Sequence, residues 1–131
     1  MLMEISGVTT DLPVADVERA RPFYSALLGR EPDFQPNADI MEWRLIKQPE
    51  VTLRIVQGRT GVPIGQGRIG LGVDDLAAER TRLAALLPGT VPEPTVRPGI
   101  IASCPIRDPE GNTIVVWQDL LPPRGVPSAT D

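Results

Sequence analysis

Histidine is absent from this chain of 131 residues, and cysteine, lysine and tyrosine occur once each, as Cys104, Lys47 and Tyr24. Without imidazole there is no histidine base to activate a serine or cysteine nucleophile and no imidazole to ligate a metal. One cysteine allows no internal disulfide, which agrees with a reducing compartment, and Cys104 reads as a small buried hydrophobe in a strand. No apolar run approaches the roughly 20 residues of a membrane span, and Met1 to Gly7 lacks a basic segment followed by a hydrophobic one. A cytoplasmic location without membrane contact is the expectation. The net charge is −4, and every basic residue except Lys47 is an arginine, scattered without a run. Nucleic acid is not an expected partner. Arginine is also the side chain best suited to planar recognition of carboxylate or phosphate.

What the chain does contain is itself, twice. Leu12, Val14, Asp16, Arg21, Ala26, Leu27 and Leu28 meet identical residues 59 positions later at Leu71, Val73, Asp75, Arg80, Ala85, Leu86 and Leu87. The match continues at an offset of 61, where Val51 to Gln57 lies over Asn112 to Gln118 with Thr52/Thr113 and Gln57/Gln118 identical. Solenoids need three or more copies, so two copies point to a paired, closed arrangement with a site where they meet.

Each copy reads as strand, helix, strands. Ser6 to Val14 leads to Asp16, a good N-cap, and Val17, Ala20, Tyr24, Leu27 and Leu28 recur at helical spacing before Gly29. Pro22 inside that pattern predicts a kink, or a helix that starts properly only at Pro22. Strands are predicted over Ile40 to Lys47 and Val51 to Gln57, joined at Gln48-Pro49-Glu50. Residues 58–65, with Gly58, Gly61, Pro63 and Gly65, form a linker that would permit exchange of halves between two chains. The second copy has a strand from Arg68 to Val73. Asp75 then caps a helix with Leu76, Leu83, Leu86 and Leu87 on one face. Strands follow near Val91 to Val96, Ile100 to Arg107 and Thr113 to Asp119. The chain is therefore one domain over residues 1–121, with modules at 5–57 and 66–119. Residues 122–131 read as a disordered tail.

Val14-Ala15-Asp16, Phe23-Tyr24, Leu27-Leu28-Gly29, Gly67-Arg68-Ile69-Gly70-Leu71-Gly72-Val73-Asp74-Asp75 and Asp108-Pro109-Glu110-Gly111-Asn112 stand in a telling order. In that order and spacing the chain resembles the vicinal oxygen chelate superfamily, the group of glyoxalase I, bleomycin resistance protein and extradiol dioxygenase. The resemblance covers roughly residues 5 to 119. It implies an α+β fold of two βαβββ modules forming a cup-shaped mixed sheet, commonly completed in a homodimer. It also implies four metal-ligand positions in the cup, which fall here on Thr9, Arg54, Arg68 and Val115. Divalent metals take imidazole, carboxylate or thiolate, and a guanidinium repels them, so neither a metal nor another cofactor is expected.

Strand alternation puts Thr9, Asp11 and Pro13, then Thr52, Arg54 and Val56, then Arg68, Gly70 and Gly72, then Thr113, Val115 and Trp117 on the cup face. Val8, Leu12, Val14, Leu53, Ile55, Leu71, Val73, Ile114 and Val116 would pack beneath the helices. The cup reads as a pocket for a small planar or anionic ligand, with Arg54 and Arg68 gripping an acidic group and Trp117 stacking on a ring. Trp43, on a strand of unfixed phase, is a further candidate. Equally, Arg54 or Arg68 would pair with Asp11 or Glu42 across a wet sheet face, with Trp117 as core. Tyr24 reads as core packing, and Asp108 and Asn112 as turn residues around Gly111. Two functions follow: a metal-independent binding protein of the drug-sequestering kind, or a metal-free lyase, isomerase or cyclase in which Asp11 is the catalytic acid or base. The first is preferred. A cationic drug such as bleomycin suits Arg54 and Arg68 poorly.

Overall fold

Asp16 and Asp75 begin the two helices in the same way. Each has extended backbone angles, and each side chain accepts a hydrogen bond from the backbone N–H three residues on, Arg19 at 3.1 Å and Ala78 at 3.0 Å. That bond satisfies one of the orphan donors of a helix start. The computed structural model describes residues 3–58 and 60–122. Of the segment expected to be a disordered tail, residues 123–131 lie outside that description.

The first module runs β1 (Gly7–Val14), α1 (Val17–Leu28), β2 (Phe34–Asn37), β3 (Ile40–Ile46) and β4 (Glu50–Gln57). The second runs β5 (Arg68–Gly72), α2 (Leu76–Leu86), β6 (Thr95–Arg97), β7 (Ile101–Arg107) and β8 (Thr113–Asp119). Each module is a four-stranded mixed sheet, in the order β1-β4-β3-β2 and β5-β8-β7-β6. β1 lies parallel to β4 and β5 parallel to β8, while the other pairs are antiparallel. This is the expected α+β arrangement of two βαβββ units.

Four local expectations are corrected. α1 starts at Val17 and runs on through the exposed Pro22, so it does not wait for the proline to begin, its start being fixed by the Asp16 cap. β2 was not foreseen: its four residues are all exposed and include Pro36, so no buried face marks them. β6 is only Thr95–Arg97, because Pro92 and Pro94 keep the preceding residues off the ladder. On α2, Leu76 and Leu83 are buried but Leu86 is 54% exposed, roughly 100° around the helix from Leu87.

The helix-covered faces of both sheets share one core. Leu12, Val14, Leu53 and Ile55 come from the first module and Cys104, Ile106, Ile114 and Val116 from the second, all essentially closed to solvent. Val8, expected among them, is 55% exposed near the start of β1. Leu71 and Val73 are half-buried against the cluster.

Polar groups fasten the modules at two places. Asp108, buried, accepts from the Tyr24 hydroxyl at 2.6 Å, from Asn112 Nδ2 at 2.8 Å and from the backbone N–H groups of Glu110 and Asn112, each at 2.9 Å. Asn112 also donates to the Pro13 carbonyl at 2.7 Å and accepts from the Gly67 N–H at 2.9 Å. The turn Asp108 to Asn112 thus ties α1, the end of β1 and the start of β5 together. The buried Asp108 and Asn112 side chains are paired, as burial demands. Burial and the Asp108 carboxylate push the Tyr24 phenol far above its ordinary pKa, which keeps it a neutral donor. Elsewhere Arg82 of α2 donates to the Ala26 and Leu27 carbonyls at 2.8 and 2.6 Å, placing a cation at the C-terminus of α1.

Candidate functional site

Strand register, not sequence proximity, assembles the open faces of the two sheets. On the first, Thr9 stands beside Thr52, Asp11 beside Arg54 and Pro13 beside Val56, with Glu42 on the far side of Arg54 and Arg44 on the far side of Thr52. On the second, Arg68 stands beside Thr113, Gly70 beside Val115 and Gly72 beside Trp117, with Arg107, Pro105 and Ser103 completing the rows on β7.

Asp11 engages Arg54 with both oxygens, accepting from Nε at 2.7 Å and from Nη2 at 2.9 Å. Glu42 adds a looser contact to Nη1 at 3.9 Å. The Asp11 hydrogen bonds raise the Arg54 pKa above its ordinary value. Arg54 is therefore a neutralised element of its own sheet and not a free anchor. Asp11, the candidate catalytic group, is bound in the same pair.

The second face is different in kind. Trp117 lies across the bare strand of Gly70 and Gly72. A Cβ added to Gly72 would come within 2.7 Å of indole Cζ2, and one added to Gly70 within 3.2 Å of Nε1. Glycine at both positions lets the ring pack closely against the strand, where it is half-buried. Arg68, Ile69, Gly70, Val115 and Trp117 line a hollow of about 360 Å³. Arg68 is exposed, and among the described residues it makes no ion pair.

Trp43, taken from the sequence as a further contributor, is corrected. It stands opposite Leu53 on the helix-covered face, fully buried, with its ring tilted against Tyr24 at 6.0 Å and its N–H bonded to the Arg30 carbonyl at 3.0 Å. The signal was legible: Met41 and Trp43 alternate with Glu42 and Arg44, which assigns the tryptophan to the apolar side. Reading residues one at a time missed Arg107, on the row of Arg68 and Thr113.

A more apolar cavity of about 410 Å³ opens between the modules near Thr10, Leu28, Ile46, Val51, Leu71 and Leu83. The charged groups at its wall, Glu79 and Arg82, pair with each other at 2.9 Å. It offers packing without an unsatisfied group to orient a ligand, so the Trp117 face is the better site.

The four ligand positions implied by the resemblance carry Thr9, Arg54, Arg68 and Val115. Two guanidinium groups, a hydroxyl and an isopropyl do not fit a divalent cation. Among the described residues no three His, Cys, Asp or Glu side chains gather into a metal-binding group. No described helix is long and apolar enough to cross a membrane.

A family model for a glyoxalase-like domain matches residues 7–117. A glyoxalase / bleomycin resistance protein from Catenulispora acidiphila is 24% identical over 84% of this chain and 95% of its own, with a TM-score of 0.71. An antibiotic binding protein from Streptomyces is 23% identical over 90% of this chain and 97% of its own, at 0.68. A bleomycin resistance determinant encoded on transposon Tn5 is 20% identical over 85% and 95%, at 0.65. None of the curated proteins matches the chain in sequence. The matched span takes in both modules and both open faces, and the chain belongs to the glyoxalase-like domain family, within the vicinal oxygen chelate superfamily.

Proposed function

We propose that the protein is a metal-independent binding protein that sequesters a small aromatic anion on the open face of its second module. The observation that carries this reading is Trp117, packed over Gly70 and Gly72 on the same face as Arg68, which makes no ion pair among the described residues. A half-buried indole offers a stacking surface, and a guanidinium two residue pairs further along the same face offers two parallel donors to a carboxylate. An antibiotic binding protein and a bleomycin resistance determinant share the fold, which makes a drug or a similar metabolite a fitting ligand class. Bleomycin is the less apt choice, since a cation would face Arg68.

The reading includes a homodimer acting in the cytoplasm. β1 and β5 are edge strands, each bonded on one side only among the described residues, and a second copy would close both hollows. A lyase, isomerase or cyclase working through Asp11 draws less support, because both carboxylate oxygens are held by Arg54.

Titration with 2-naphthoate, followed by tryptophan fluorescence, tests the reading. Trp43 is sealed in the core, so quenching reports Trp117. Saturable quenching is expected, unchanged by zinc, manganese or chelator and weakened about tenfold or more in Arg68→Ala. Binding that requires a metal, or that ignores Arg68→Ala, refutes it.

A further inference from the structure

The two modules place the same strand positions on their open faces, and the charges there have diverged in one direction. In the first module Arg44 is neutralised by Glu50 at 3.3 Å, and Arg54 by Asp11 and Glu42 at 2.7 and 3.9 Å. Matching strand pairs places Arg107 where Arg44 stands, since Arg44 neighbours Thr52 as Arg107 neighbours Thr113. It places Gly70 at the position of Asp11 and Pro105 at that of Glu42, and the offset of 61 sets Gly111 against Glu50. Each of the three acids has thus been replaced by a residue without charge. Arg44 keeps its counterpart, and Thr9 has become Arg68. Of these six matched positions, five carry charges that largely cancel on the first face, whereas on the second only Arg68 and Arg107 are charged.

Arg68 and Arg107 flank Thr113 on adjacent strands, so their Cα atoms lie about 10 Å apart. Both are exposed, and among the described residues neither makes an ion pair. Two like charges held on one row repel, and an anion between them relieves that repulsion. A groove of about 510 Å³ opens at this row, lined by Arg68, Arg107, Thr113, Pro105 and the loop at Thr90 and Val91. It adjoins the Trp117 hollow, and Arg68 lines both. Acids stand at the other end of the row, where Asp74 and Asp119 line a hollow with Trp117, and Asp119 is six residues from Thr113, about 20 Å away.

We propose that Arg68 and Arg107 together grip one doubly charged head group, and that the flat body of the same ligand runs along β8 to Trp117. This rests on the binding function proposed above and deepens it. The ligand class is an elongate aromatic dianion, a phosphate monoester or a vicinal dicarboxylate. From Thr113 to Trp117 is about 13 Å, which suits two or more fused rings better than one.

Isothermal titration of the full chain with 2-naphthyl phosphate, naphthalene-2,3-dicarboxylate and 2-naphthoate at fixed ionic strength decides the matter. Both dianions, or the one that is the correct source, bind at least tenfold more tightly than 2-naphthoate to the unmodified protein. Arg107→Ala brings the dianion down to the level of the monoanion, and Arg107→Lys keeps part of the preference. The preference falls as salt rises. Equal affinity for dianion and monoanion, or a dianion preference that survives Arg107→Ala, overturns the two-arginine site while leaving the Trp117 and Arg68 reading in place. Failure of 2-naphthoate to bind, or binding indifferent to Trp117→Ala, overturns both. Circular dichroism of the Arg107 variants confirms folding, which an exposed side chain does not threaten.

Discussion

Gln57 and Gln118 stand at equivalent places in β4 and β8, and each lends its side-chain carbonyl to the first turn of its own module's helix. Gln57 Oε1 accepts from the Val17 N–H at 3.2 Å and Gln118 Oε1 from the Leu76 N–H at 2.9 Å. These N–H groups lie among the orphan donors that a helix start leaves unsatisfied. The repeated glutamine therefore couples sheet to helix, twice. Gln118→Ala should cost about 1 kcal/mol, and Gln57→Ala about the same. Urea denaturation measures both, and midpoints within error of the unmodified protein would show that water replaces the bond at no cost.

That pair also explains why the architecture was readable. The identities at offsets 59 and 61 fall on residues with structural duties: helix caps at Asp16 and Asp75, core positions at Leu12 and Val14, and the two glutamines. Such duties leave a local imprint because each depends on a fixed spacing to its own helix or strand. The site left a fainter one. Asp11 stands 43 residues before Arg54 and meets it only because β1 and β4 pair in one register. The bareness of the second face is likewise a property of three strands at once, and no single stretch displays it. β2 was invisible for a different reason, since an edge strand with four exposed residues carries no hydrophobic alternation.

Tyr24 makes the pH behaviour of the fold predictable. Its pKa is raised in the folded state by burial first and by Asp108 second. In the unfolded chain the phenol ionises near its ordinary value of about 10. A folded pKa above the unfolded one means full stability below about pH 10 and progressive loss above it. The unmodified protein should therefore weaken as pH climbs from 10 to 11.5. Tyr24→Phe should be weaker than the unmodified protein at pH 7, by about 1–3 kcal/mol for the broken network, yet show less additional loss at high pH. Parallel curves of urea midpoint against pH for the two proteins would contradict this.

The Asp11–Arg54 pair invites the opposite expectation. Its side chains are 34% and 29% exposed, so water and salt screen their attraction. Asp11→Asn should change stability by no more than about 1 kcal/mol, and the difference should shrink in 1 M salt. A loss above about 2 kcal/mol would mean that the carboxylate does more than neutralise its neighbour. Binding of 2-naphthoate by Asp11→Asn should stay within about threefold of the unmodified protein, because the Trp117 face lies on the other sheet.

Gly72→Ala is the most selective probe of the indole platform. The glycine is not at positive φ, so alanine meets no backbone strain there. What it meets is Trp117, with the new Cβ 2.7 Å from Cζ2 and 2.9 Å from Cη2. Either the ring swings outward or the strands part, at a cost of about 1–3 kcal/mol in stability. An outward swing exposes the indole, so emission should shift to longer wavelength while Trp43, buried in the core, contributes a constant background. The stacking surface proposed for the ligand is displaced in the same movement, and affinity for 2-naphthoate should fall about tenfold or more. Gly70→Ala, with 3.2 Å to Nε1, should show a smaller version of both effects. Unaltered affinity in Gly72→Ala together with a shifted emission would separate the ring from the ligand, and would move the search for the stacking surface to another part of the molecule.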